Sequence, residues 1–212
     1  STLQAICNQP LIQQPGTESG MKRVFHCVTR HGAVRIRTSN NQHNMKPLVS
    51  IIMGSTSDLP VMQKGAEYLD SMEIPFELLA LSAHRTPREV EQFATGARER
   101  GVKVIIAAAG MAAHLGGVIA SMTTLPVIGV PIKSSFDGMD ALLAIVQMPP
   151  GIPVATVAVN GAMNAAVLAS QILALTDEDI ARRVEEYKKN LAGKIVKANE
   201  ELAKIEYRYK TN

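Results

Sequence analysis

From residue 45 onward, apolar runs of strand length alternate with segments of helical periodicity. The runs at 48–53, 76–81, 102–108, 126–130 and 154–159 are mostly near-continuous rather than alternating, the pattern of strands covered on both faces. Segments 61–72, 87–100, 113–121, 139–148 and 162–175 read as helices. The second has a clear start: Thr86-Pro87-Arg88-Glu89 combines an N-cap Thr, Pro at the first helical position and Glu three residues after the cap, which predicts a capping box. Regular βα alternation predicts an α/β fold with a doubly wound parallel sheet. Ligands in such sheets sit beyond the carboxyl ends of strands, near the reversal of strand order, so the loops after strands are where chemistry is sought.

Residues 176–209 predict one long C-terminal helix. Thr176 supplies a cap with Asp177, Glu178 and Asp179 behind it, and Ile180, Val184, Tyr187, Leu191, Ile195, Leu202 and Ile205 continue a stripe at steps of three, four or seven. Nearly thirty residues at 1.5 Å rise span roughly 45 Å, more than a domain of this size is wide. That face predicts packing on another subunit.

Charge and cysteine divide the chain in two. The 212 residues carry a net +3, but residues 1–44 hold Lys22, Arg23, Arg30, Arg35 and Arg37 against Glu18 alone. The other 168 residues are close to neutral, at net −1, which removes an electrostatic case for nucleic-acid binding. Cys7 and Cys27 both lie in the first 44 residues, leaving 45–212 without a disulfide, a thiolate nucleophile or a Cys-ligated zinc site. A reducing, cytoplasmic location fits. No run approaches the roughly 20 apolar residues of a membrane span. Residues 1–44, rich in Gln, Asn, Ser and Thr with only a short apolar run at 34–36, read as a leader. An expression scar or an extension before a start at Met45 is one source; an Arg-containing transit peptide is the other. Residues 45–212 then form a single domain.

Three strand ends carry candidate chemistry. Gly54-Ser55-Thr56-Ser57-Asp58 offers a tight turn, hydroxyls and helix-terminal amides that suit a phosphate, although an ordinary connector with Asp58 as N-cap has the same pattern. No dinucleotide or Walker fingerprint is present. Ser82-Ala83-His84-Arg85-Thr86 brings a hydroxyl, an imidazole and a guanidinium to one turn, where Arg85 can grip an oxyanion in bidentate fashion and His84 can exchange a proton near neutrality. The third, 107–117, is a small-residue stretch that lets backbone approach a planar ligand, with His114 either participating directly or only ordering the helix start. Asp58, His84 and His114 imitate a two-His, one-carboxylate metal set, but lack the ligand spacing that would support one.

Taken together, 54–58, 82–87 and Ala112-Ala113-His114-Leu115 resemble the catalytic subunit of phosphoribosylaminoimidazole carboxylase, the bacterial-type 5-(carboxyamino)imidazole ribonucleotide mutase family of de novo purine (IMP) biosynthesis. The resemblance continues through Ser134-Ser135, 145–149 and 164–166, covering about residues 47–175. It implies a flavodoxin-like three-layer fold, a homo-octamer whose C-terminal helix reaches a neighbour, and a ribotide substrate. Ser55, Ser57, Ser82 and Arg85 would hold the phosphate, Asp58 the ribose hydroxyls, and His84 would carry the proton. The loop containing Gly110, Ala112, His114 and Leu115, with Ala83 opposite, would hold the aminoimidazole and its carboxylate. Gly116 replaces a usual Pro, which would loosen that loop, and Leu59 a usual Trp, which should alter only packing. The implied reaction moves a carboxylate from the exocyclic nitrogen to ring carbon four, with no metal, ATP or biotin required. The rivals are a carboxylase using free carbon dioxide and a non-catalytic nucleotide-binding module.

Overall fold

The computed structural model describes residues 45–211. The leader expected at 1–44, with its cysteines and the 34–36 run, lies outside the described residues. Five parallel strands, β1 (Val49–Met53), β2 (Phe76–Ala80), β3 (Val104–Gly110), β4 (Val127–Ile132) and β5 (Ala155–Thr156), form one sheet in the order β2-β1-β3-β4-β5. This is the flavodoxin-like order, whose direction reverses between β1 and β3. Helices α1 (Leu59–Ser71), α5 (Ala162–Ala174) and α6 (Glu178–Ala203) cover one face, and α2 (Pro87–Arg100), α3 (Leu115–Met122) and α4 (Met139–Val146) the other. The fold is thus a three-layer α/β sandwich. Each face has its own core: Ile51, Ile106 and Val130 point to the first, Ile52, Ile105 and Val127 to the second. That alternation is why β1, β3 and β4 are apolar at almost every position.

Two strands depart from expectation. Strand β2 is an edge, with Leu78, Leu79 and Ala80 exposed rather than covered. Strand β5 is two residues long instead of the six expected at 154–159. The carbonyls of Gly129 and Pro131 accept from Val157 and Asn160, but Pro131 has no N–H to return, so the ladder stops there.

The helix ends also differ. Thr86 is the N-cap residue of α2 but makes no cap bond: its hydroxyl is turned back onto the Ser82 backbone, so the expected capping box does not form. Helix α6 starts at Glu178 with Asp177, not Thr176, as the cap, the Asp177 carboxylate accepting from Ile180 N–H. It ends at Ala203, giving 26 residues and about 39 Å. Its stripe is divided: Ile180 and Val184 are buried in the chain's own core and Tyr187 packs edge-on against Tyr68 of α1 at 5.0 Å. Leu191, Ile195, Leu202 and Ile205 beyond it remain exposed. The face expected to pack on another subunit is therefore partly intramolecular, because α5 and Tyr68 of α1 cover its first turns. Helices α1 and α5 approach so closely that a side chain at Gly65 would lie 2.8 Å from the Ala162 carbonyl.

Candidate active site

The ends of β1, β2, β3 and β4 open onto one cleft of about 610 Å³. It sits over the reversal between β1 and β3. Ser55, Ser57 and Asp58 line one side, Ser82, Ala83, His84 and Arg85 the next, and Gly110, Ala112 and Leu115 the third. A smaller hollow between α2 and α3 carries one charged side chain, Arg98, which already donates to Thr124. Ionisable groups converge only on the strand-end cleft among these two.

The β1 loop closes on itself. Residues Thr56–Asp58 form a single 3-10 turn; the Ser55 hydroxyl accepts from Ser57 N–H and the Asp58 carboxylate from Ser55 N–H, each at 3.3 Å. The capping box expected at Thr86 is thus found here. The Ser57 hydroxyl donates to that of Ser55 at 2.9 Å, so both oxygens face the cleft as a pair. Asp58 is only 8% exposed. Burial holds its carboxyl above the usual carboxylate range, against the opposing pull of the Ser55 N–H, the Ser57 hydroxyl and the Arg85 guanidinium.

The β2 loop is a turn tied by Ser82. Thr86 N–H and hydroxyl donate to the Ser82 carbonyl, and the Ser82 hydroxyl accepts from both N–H and Nε of Arg85. Arg85 Nη2 donates to the Gly54 carbonyl at 2.7 Å. The guanidinium therefore braces two loops, which leaves the Nη1–Nη2 edge as the one that could meet an oxyanion in bidentate fashion. His84, at the crest of this turn, is exposed.

The floor comes from β3. Gly110 is the last residue of the strand rather than a loop residue; a Cβ there would press on the Ile132 carbonyl at 3.2 Å and Ser134 Oγ at 3.3 Å. Met111 follows in the left-handed region, with φ 53°, and the loop closes through Ala113 N–H to Met111 O and His114 N–H to Ala112 O. His114 is the N-cap residue of α3 but makes no side-chain cap bond; it is exposed and is not among the residues lining the cleft, and its Nδ1 lies 3.0 Å from His84 Nε2. Gly116 falls in the first turn of α3, where a Cβ would meet only ordinary contacts and Pro is tolerated. Leu59 is the exposed first residue of α1.

The fourth wall was not among the sequence candidates. Ile132, the last residue of β4, and Lys133 and Ser134 after it line the cleft. Lys133 N–H donates to Asn160 Oδ1, and its ammonium pairs with Asp137 at 2.8 Å, which raises the lysine and lowers the aspartate from their ordinary values. The rule that directed attention to the first three strand ends applies equally to this one. Among the described residues, no group of three His, Cys, Asp or Glu side chains is placed to hold a metal ion, and no helix is long and apolar enough to cross a membrane.

Comparison with known proteins agrees with this geometry. Residues 48–194 match the family described as AIR carboxylase. The N5-carboxyaminoimidazole ribonucleotide mutase of Thermotoga maritima is 52% identical over 163 residues, covering 76% of this chain and 95% of that protein. The mutase of Bacillus subtilis is also 52% identical, over 74% of this chain and 99% of its own length. The phosphoribosylaminoimidazole carboxylase of Saccharomyces cerevisiae is 54% identical over 68% of this chain, but only 25% of the longer yeast protein. The crystal structure of Treponema denticola PurE superposes with a TM-score of 0.68 at 33% identity, over 74% of this chain and 98% of that one. The matched span takes in every strand, the four loops of the cleft and about the first two thirds of α6, and on that span the chain belongs to the AIR carboxylase family.

Proposed function

We propose that this protein is a 5-(carboxyamino)imidazole ribonucleotide mutase of purine biosynthesis. The observation that carries the proposal is the seat of His84 in one cleft, with the paired hydroxyls of Ser55 and Ser57 and the Arg85 guanidinium on one side and the small-residue floor of Gly110 and Ala112 on the other. A ribotide has those two ends, an anion and a flat ring. The similarity to mutases over 95% or more of their length supports the same reading.

In this assignment Ser55, Ser57, Ser82 and Arg85 hold the phosphate and Asp58 accepts from the ribose hydroxyls. The ring lies on Gly110, Ala112 and Leu115, with Ala83 opposite. His84 protonates the carbamate nitrogen, the N–C bond breaks, and carbon dioxide is released within the cleft. The enamine-like ring carbon attacks that carbon dioxide to form the new C–C bond, and His84 recovers a proton from the same carbon. Confinement matters as much as acidity, because retained carbon dioxide keeps the second step effectively unimolecular. The working unit is residues 45–212, a cytoplasmic homo-oligomer, the octamer of the resemblance, with 1–44 dispensable; a chain starting at Met45 should retain activity.

The test is to mix the protein with the carbamate ribotide and follow ultraviolet absorbance. Isomerisation without added bicarbonate is the expected result. Turnover that requires bicarbonate would make it a carboxylase, and no reaction under either condition would leave a binding module.

A further inference from the structure

We propose that His114 is a positioning residue for His84, and that Nδ1 of His84 is the nitrogen that exchanges the proton with substrate. The proposal rests on the mutase reading above. His84 Nε2 and His114 Nδ1 are 3.0 Å apart, with the rings edge to face at 79°. Two bare lone pairs at that distance repel, as do two N–H groups, so a single hydrogen lies between the nitrogens.

Which ring owns that hydrogen decides whether the contact survives the reaction. With the hydrogen on His84 Nε2, neutral His84 is a base at Nδ1 and protonated His84 is an acid at Nδ1, and Nε2–H donates to His114 in both forms. The pair then keeps one geometry while the proton comes and goes on the opposite edge. With the hydrogen on His114 Nδ1, protonating His84 at Nε2 would break the contact. A carrier that must give one proton and take another is served by the first arrangement, in which a fixed partner sets tautomer and ring orientation, the role that a buried carboxylate plays toward a catalytic histidine elsewhere.

The backbone of His114 is built to stay still. Buried Ala113 and Leu115 flank it, its N–H donates to Ala112 O at 2.7 Å, and its carbonyl accepts from Val118 N–H in the first turn of α3. Ala112 and Leu115 on either side line the cleft, whereas the polar contact of the His114 ring is with His84, and the role assigned to it is therefore one exerted through His84.

Amide side chains separate the two nitrogens of His114. Asn places a polar atom near Nδ1, and Gln near Nε2. His114→Asn should keep kcat within about 5-fold of the parent, whereas His114→Gln and His114→Ala should lose roughly 10- to 100-fold, by analogy with the loss on removing an outer partner that orients a metal-bound histidine. KM should stay within about 2-fold throughout, since no substrate contact is lost. Equal losses in Asn and Gln, a better rescue by Gln, full activity in Ala, or a KM rise with kcat preserved would each overturn the proposal. Long-range ¹H–¹⁵N spectra of the histidine rings test it without turnover. Neutral His84 should carry its hydrogen on Nε2 in the parent and in His114→Asn, and mixed tautomers in His114→Ala. A hydrogen on Nδ1 in the parent would overturn it. If the parent fails to isomerise the carbamate, the mutase reading falls, while the spectra still judge the contact.

Discussion

Arg85 Nη2 donates to the carbonyl of Gly54 at 2.7 Å, joining loops 31 residues apart in sequence. The same side chain bonds Ser82 through Nε, so the turn that carries His84 and the loop that carries the Ser55–Ser57 hydroxyl pair share one brace. Arg85→Ala should therefore raise KM and weaken ribotide binding by roughly 1.5 to 3 kcal/mol, the range for a hydrogen bond to a charged group, with a smaller fall in kcat. Isothermal titration with the ribotide and its dephosphorylated riboside is the check. Equal affinity for the two in the parent protein would contradict a phosphate cradle.

His84→Asn should lower kcat by at least about 10²- to 10⁴-fold, because an amide occupies the space but carries no titratable proton. Ribotide affinity should change little, since binding is assigned to the serines, Asp58 and Arg85. Turnover near the parent rate would remove His84 from the mechanism.

Asp58 makes a prediction in pH. Burial raises its carboxyl above the ordinary value of 3.8, so over the interval between the unfolded and folded values the native chain binds more protons than the unfolded one. Stability must then fall as pH rises through that interval, and the cost persists at neutral pH. Asp58→Asn removes this titration. Its melting temperature relative to the parent should climb from about pH 4 and level off above the folded value, while KM rises through loss of the charged acceptor. A stabilisation that instead grew as pH fell would show that the charged form is the one the fold favours. The burial that makes Asp58 costly to the fold keeps it fixed beside the two serine hydroxyls.

The sequence made most of this arrangement legible where a local pattern coincided with a tertiary need. Strands β1, β3 and β4 were readable because burial on both faces removes polar residues from almost every position, Ser50 excepted. The His84 turn was readable because a helix start marks the strand end. Thr86 shows where local reading stops: the residue type and position suit a cap, but the hydroxyl is taken by Ser82, four residues back. The truncation of β5 depends on Pro131 facing it from β4, which only strand register reveals. Lys133 was passed over because it lies among ordinary loop residues, and its place on the cleft depends on Asn160 holding its N–H from the loop between β5 and α5. The contact of His84 with His114 joins residues 30 apart and has no sequence signature at all.

The exposed half of the α6 stripe predicts an assembly interface. Leu191 is 44% and Ile195 65% exposed, while Ile180 and Val184 earlier on the same helix are buried in the chain's own core. Cutting the chain after Leu175 would strip that core and confuse unfolding with disassembly, so substitution beyond Tyr187 is the cleaner experiment. Burying one such side chain between subunits contributes about 1.5 to 3 kcal/mol, and a symmetric assembly repeats the contact in every subunit. Leu191→Glu combined with Ile195→Glu should lower the mass measured by light scattering while leaving far-ultraviolet circular dichroism nearly unchanged, since neither residue is in the core. Activity should fall with the mass if subunit contacts brace the strand-end loops. An assembly of unchanged mass would show that this stripe is not the interface, and a parent protein that stays monomeric at micromolar concentration would exclude the oligomer altogether.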